Sequence, residues 1–240
     1  MHLITLQKVD AGYGKFHVLY EISTSIEDKK ITTVVGPNGS GKSTLLKSIF
    51  GLTNIYSGDI FLGDEKITNQ LPHQIARKGV SYVAQVRNIF PNLSVRENLL
   101  MSGYTVKPEE LSERIEEVTG YYPILKECYA RRAGTMSGGE RQMLAMAMSL
   151  IRQPNVMLFD EPTANLSPKL ATQVIDEIRK LRDNLGKTIM LVEQNAIKAL
   201  GCGDNALLLV SGKIAFDGKA CDLLNSPELG QMYLGLKREA

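Results

Sequence analysis

Three short stretches carry residue types whose spacing can do phosphate chemistry. The first, "GPNGSGKST", has the G-x-x-x-x-G-K-[ST] pattern; it follows an apolar strand-like run and opens a helical one, the context that pattern requires. Gly36, Gly39 and Gly41 let the backbone approach a ligand without Cβ clashes. The N–H groups from Asn38 through Ser40 to Lys42 can form a nest around phosphate oxygens, bounded by Pro37 before and Thr44 after. Lys42 supplies a point charge for β- and γ-phosphates, and Ser43 offers a hydroxyl to Mg²⁺. The second stretch, "VMLFDEPT", ends a strand on two carboxylates. Neighbouring strand residues point to opposite faces, so Asp160 and Glu161 serve different atoms: Asp160 a Mg²⁺ ion through water, Glu161 an attacking water as base. The third, "TMSGGERQ", places Ser137, Gly138, Gly139 and Glu140 at the start of a helix, and so makes a second anion site. One phosphate loop has no evident use for two such sites.

These residues need elements to hold them. Apolar runs rich in β-branched residues at 30–35, 80–84, 155–159 and 187–192 read as buried strands, and helical patterns separate them. That alternation predicts an α/β fold with a mostly parallel sheet. Open parallel sheets bind ligands beyond the carboxyl ends of their strands. The four strands end at Gly36, Gln85, Asp160-Glu161 and Glu193-Gln194, so these groups converge if the strands are neighbours. Ser167 and Pro168 start a helix that Gly186 can end, with Leu170, Val174, Ile175, Ile178 and Leu181 on one face. Hairpins are expected around Gly63-Asp64 and Ser211-Gly212, and the first thirty or so residues read as antiparallel strands on the sheet edge. From residue 86 the pattern turns helical and amphipathic, with a capping box at Ser94 and Glu97 and a second helix near Pro108. The expected organisation is one domain over 1–240, with an α/β core at 1–85 and 153–240 and an inserted helical subdomain at 86–152. The run "MLAMAMSLI" reads as core packing.

Composition narrows the function. The chain has 240 residues, 22% of them charged, and a formal net charge of +2, so no strong basic field points to nucleic acid. Its apolar runs are too short to span a bilayer and its N-terminus has no signal-peptide pattern, so any membrane role goes through a partner. The three cysteines form no C-x-x-C pair and read as scattered thiols. No N-K-x-D motif for reading a guanine base is present.

With the phosphate loop, "SGGERQ" and "LFDEPT" in this order, the chain resembles the ATP-binding-cassette (ABC) ATPases over nearly its whole length. The resemblance implies a P-loop NTPase core with an antiparallel β edge and an inserted helical signature subdomain. It implies ATP and Mg²⁺ as cofactors and ATP hydrolysis as the activity. It also implies a head-to-tail pair in which each "SGGE" turn caps the γ-phosphate held by the opposite chain, so each anion site is half of a composite one. By the same resemblance Tyr13 stacks on adenine, and Gln85 contacts Mg²⁺ and the attacking water. "RNIFPNLSVRENL" lines a docking groove for a transmembrane permease subunit. Where the family often has Asp, this chain has Ser167, so the cross-dimer contacts of that Asp do not carry over. Where most members have a histidine on the γ-phosphate, it has Gln194, whose amide can donate to phosphate and accept from water.

"LPHQIARKGVSYVAQ", "ANLSPKL", "LVEQNA" and the terminal "MYLGL" resemble ATPase subunits of branched-chain amino acid importers. That implies a peripheral protein on the cytoplasmic face of the membrane, with a solute-binding protein as indirect partner. Other readings are a soluble cassette ATPase, an importer ATPase for another solute, and a module that holds ATP without hydrolysing it. The short helical insertion and single phosphate loop count against the first, and Glu161 against the last. Homodimer and heterodimer both stay open.

Overall fold

A computed structural model describes residues 2–85 and 88–226. Three strands of "ITTVV" type form the middle of the molecule: β3 (Ile31–Val35), β7 (Val156–Asp160) and β8 (Thr188–Val192), each buried along its length. Burial on both faces explains why they read as continuous apolar runs and not as alternating ones. With β6 (Val80–Val83), β9 (Asn205–Val210) and β10 (Lys213–Lys219) they form a six-stranded sheet in the order β10-β9-β3-β8-β7-β6. All pairings are parallel except β9–β10, a hairpin that turns at Ser211-Gly212 with both residues at positive φ. The four strands singled out in the sequence are therefore neighbours.

The N-terminal strands differ from expectation. β1 (His2–Tyr13) and β2 (Phe16–Glu27) join β4 (Asn54–Leu62) and β5 (Glu65–Lys66) in a separate antiparallel sheet, with β4 and β5 turning at Gly63-Asp64. Register shifts in β1, with Lys8, Glu21 and Gly58 at positive φ, bend this sheet. It meets the edge of the larger sheet where the Tyr20 N–H donates to the Gly212 carbonyl (2.9 Å) and the Thr24 hydroxyl to Asp217 (2.7 Å).

Helix α1 (Lys42–Ile49) is packed between the two sheets, where Leu45, Leu46 and Ile49 meet Val156, Leu158 and Ile60. The opposite face of the large sheet presents Met157 and Phe159, the alternate residues of β7. They pack on α6 (Gly138–Leu150) and α7 (Pro168–Leu185), in one core with Val95, Leu99 and Ile115 of the helical segment. That segment contains α3 (Val95–Ser102), α4 (Pro108–Tyr121) and the single turn α5 (Ile124–Glu127); α2 (Pro72–Arg77) precedes β6. Short helices α8 (Ala196–Cys202) and α9 (Ala220–Leu224) cover the β9 side. The local signals hold. Ser94 and Glu97 form a reciprocal capping box, Ser167 accepts from the Leu170 N–H, and Gly186 ends α7 in the left-handed conformation. Leu144, Met146 and Ala147 of the methionine-rich run are core. Among the described residues no helix is long and apolar enough to cross a membrane, and the three cysteines are unpaired.

Candidate functional site

The carboxyl ends of β3, β8, β7 and β6 open on one cavity of about 400 Å³, lined among others by Asn38, Lys42, Gln85, Glu161 and Gln194. The loop between β3 and α1 needs its glycines for a local reason. A Cβ on Gly36 would sit 2.1 Å from the Leu209 carbonyl oxygen, and one on Gly41 2.7 Å from Leu19 Cδ2; both residues have positive φ. Gly41 caps α1 with no side chain, so the first N–H groups of the helix stay free, and partial positive charge faces the cavity. Lys42 is buried, and its Nζ donates to the Gly36 and Pro37 carbonyls at 2.9 Å each. Burial lowers its pKa, while Glu161 and Asp160 oppose that shift. The ammonium and the loop N–H groups together make a site for a polyphosphate.

The two carboxylates diverge as expected, but because the strand ends at Asp160 and the backbone turns left-handed at Glu161. Asp160, buried at the end of β7, accepts from Ser43 Oγ on one oxygen (2.7 Å) and from the Tyr82 hydroxyl on the other (2.8 Å). Glu161 follows at φ +51°, an uncommon conformation for a residue with a side chain, with its N–H bound to the Val192 carbonyl (2.9 Å). Its Oε2 accepts from both Gln85 Nε2 (2.8 Å) and Gln194 Nε2 (2.7 Å). Three residues from the ends of three strands thus share one carboxylate oxygen. Glu193, beside Gln194, turns inward, where it accepts from the Thr163 N–H (3.0 Å) and hydroxyl (2.8 Å); burial raises its pKa.

The donor set suits magnesium. Ser43 Oγ, the Asp160 carboxylate and the Gln85 amide oxygen are hard ligands. The described residues hold no cluster of three or more His, Cys, Asp or Glu that could cage an ion. A partial oxygen shell completed by water and phosphate is how Mg²⁺ usually binds. Tyr13 ends β1, opposite Phe16 across the hairpin; the residue is 41% exposed, which lets its ring stack on a planar ligand. Val18 of the same hairpin lines the cavity.

The "SGGE" turn stands apart from that cavity, and none of its residues lines it. Ser137 caps α6 by accepting from the Glu140 N–H (3.3 Å), and the Ser137 N–H donates to Glu140 Oε2 (2.7 Å). Glu140 also pairs with Arg131 (2.6 Å), and the Ser137 N–H leads the contacts that hold its carboxyl below the usual glutamate range. Its carboxylate is thus consumed in holding the turn, while Ser137 is exposed and its hydroxyl can donate to an incoming anion. The glycines have a use that the sequence reading missed. A Cβ on Gly138 would lie 2.9 Å from Leu166 Cδ2, and one on Gly139 2.8 Å from Leu170 Cδ2, so α6 packs closely on the segment that enters α7.

A second cavity, of about 510 Å³, joins this turn to the strand ends through Gln85, Ile89, Pro91, Gly138 and Arg141. The loop beneath it is pinned by buried Asn98, which accepts from the Phe90 N–H (2.7 Å) and donates to the Phe90 and Ser94 carbonyls. Of the stretches set apart in the sequence, Arg87 at the start of "RNIFPNLSVRENL" and the terminal "MYLGL" lie outside the described residues. Tyr82 escaped the sequence reading, and Glu193 was read there only as a strand end. Their only signal was a polar group inside an otherwise apolar strand or at its end.

Residues 19–164 match the family described as ABC transporter. The chain is 51% identical to a probable branched-chain amino acid transport ATP-binding protein, LivF, of Archaeoglobus fulgidus, over 95% of this chain and 97% of that one. It is 38% identical to the high-affinity branched-chain amino acid transport ATP-binding protein BraG of Pseudomonas aeruginosa, over 97% of this chain and all of the other. A solved dimeric ATP-binding cassette in a post-hydrolysis state, bound to ADP and Pi, superposes with a TM-score of 0.77 at 26% identity, covering 91% of this chain and 99% of that one.

Proposed function

This chain belongs to the ABC transporter family, and from that premise we propose that it energises uptake of branched-chain amino acids. It is an ATP-hydrolysing cassette of the importer type. The choice of solute rests on relatives at 51% and 38% identity that span nearly the whole chain. Removing the chain from its cell should abolish high-affinity uptake of labelled leucine, isoleucine and valine; full uptake without it would overturn the assignment of solute.

The observation that carries the mechanism is the single cavity that gathers Lys42, Glu161, Gln85 and Gln194 while Ser137 faces elsewhere. In this reading the loop from Gly36 to Thr44, with Lys42, binds the β- and γ-phosphates, and Tyr13 stacks on the adenine. Ser43, Asp160 and Gln85 would hold Mg²⁺, which would supply charge neutralisation at the phosphates. Glu161 takes the proton of the attacking water as general base. The Ser137 hydroxyl and the helix start behind it complete the γ-phosphate site of a second cassette, identical or paralogous, in a head-to-tail pair. Binding across both sites shifts the pair from open to closed, because only the closed form makes both sets of contacts. The cavity between Gln85 and the "SGGE" turn lies where a permease segment could sense that closure. A permease partner places the chain on the cytoplasmic face of the membrane, with a solute-binding protein on the other side.

Gln194 has a defined part in this scheme. Its amide donates to Glu161 and lies beside the phosphate cavity, so it can orient the water that Glu161 activates. Gln194→Ala should lower turnover at saturating Mg-ATP while ATP affinity changes little. A glutamine does not titrate, so the rate should carry no step near the ~6.5 pKa of histidine that traces to this position. Gln194→His should stay active and gain such a step. Parent-like turnover in Gln194→Ala would remove Gln194 from the mechanism.

A further inference from the structure

Tyr82 has no part in the mechanism above, yet it touches a buried carboxylate of the site, Asp160. Tyr82 of β6 pairs in register with Leu158 of β7, so both side chains stand on the α1 face of the sheet. Asp160, two residues beyond Leu158, follows on that face. The Tyr82 hydroxyl reaches diagonally to donate to Asp160 Oδ2 at 2.8 Å, while Ser43 donates to Oδ1 at 2.7 Å. The ring stacks on Phe50, the residue that ends α1, with centroids 5.5 Å apart and planes 24° from parallel. Phe50 and Ser43 lie at opposite ends of α1, so this one helix supports the phenol at one end and the carboxylate at the other.

We propose that Tyr82 is a positioning residue for the metal step: its hydroxyl fixes the rotation of the Asp160 carboxylate and so presents Oδ1, beside Ser43, to Mg²⁺ and its water. The proposal rests on the reading of Ser43 and Asp160 as the magnesium side of the site. The terminal torsion of an aspartate is broad and roughly two-fold, so a carboxylate held by one donor samples orientations that a second donor excludes. Partners that orient metal ligands through a hydrogen bond are commonly as consequential as the ligands themselves. The position of the hydroxyl is set by the β6–β7 register, with Tyr82 opposite Leu158, so it is a property of this chain's fold and not of any local motif.

The test uses Tyr82→Phe, which keeps the ring on Phe50 and removes one hydroxyl. It is made in the full chain on a Glu161→Gln background, so that ATP persists. Mn²⁺ is titrated into the protein–ATP complex with protein in excess, and free Mn²⁺ is read from its electron paramagnetic resonance signal. Tyr82→Phe should raise the half-saturating Mn²⁺ concentration by about tenfold or more, with ATP affinity in EDTA unchanged. Phe50→Leu, which removes the stack and keeps the hydroxyl, should lower the melting temperature and leave Mn²⁺ saturation near the parent's. Ser43→Ala reports on the underlying reading. If Ser43→Ala shifts saturation and Tyr82→Phe does not, the proposal alone is overturned. If neither shifts it, the magnesium reading falls and the proposal with it. An equal loss in Phe50→Leu, or a matching loss of ATP affinity in EDTA, would show that Tyr82 acts through packing and also overturns the proposal.

Discussion

Glu161→Gln is expected to bind ATP as the parent does and to lose hydrolysis by roughly 10²- to 10⁴-fold, the usual worth of a general base. The replacement is nearly isosteric. Its amide oxygen can still accept from the Gln85 and Gln194 amides that now meet at Glu161 Oε2 at 2.8 and 2.7 Å. The left-handed backbone at this position and its bond to Val192 do not involve the side chain. What disappears is the capacity to take a proton from water. Because ATP persists, the variant should also accumulate as an ATP-bound dimer, visible by sedimentation on adding Mg-ATP and reversed by removing it. Turnover equal to the parent's would falsify the assignment of Glu161 as base.

The second large effect is expected at a residue that does not touch its own chain's phosphate cavity. Ser137→Arg should abolish ATP-dependent dimerisation and cut turnover by at least about 10²-fold, the scale of a misplaced reacting group, while the affinity of each chain for ATP stays near the parent's. The bulk of arginine would fill the space that a partner's γ-phosphate needs, beside a hydroxyl that is exposed in the single chain. Loss of the cap on α6 costs about 1 kcal/mol, too little to unfold a domain of ordinary stability, so a folded monomer is expected. Lys42→Ala is the contrasting control, since it removes the cation inside the chain's own cavity and should weaken ATP binding itself. Equilibrium binding of a fluorescent ATP analogue separates the two variants. Association that survives Ser137→Arg undiminished would show that this turn does not cap a partner's nucleotide.

Much of this molecule could be read from local sequence, because the features concerned are themselves local. A buried strand such as "VMLF" needs only apolar β-branched and large residues in a row. A cap such as Ser94 with Glu97, or Ser167 with Pro168 and later Gly186, is completed within one helix. The phosphate loop is a contiguous turn, and Asp160 and Glu161 stand side by side where one strand ends. The sequence therefore determined the parallel core and its four neighbouring strand ends, from which the proposed site is drawn. Tertiary structure decided what depends on register and on layers. Strand period places a side chain on a face but says nothing of which residue stands opposite on the next strand. For that reason the Tyr82 bond to Asp160 and the meeting of Gln85 and Gln194 on one oxygen of Glu161 could not be foreseen. The N-terminal strands left the edge of the large sheet for a sheet of their own, because bulges at Lys8, Glu21 and Gly58 bend them over α1. Gly138 and Gly139 read as part of an anion site, and the fold in addition sets Leu166 and Leu170 against them. Which atoms a small residue must accommodate is settled only when helices pack.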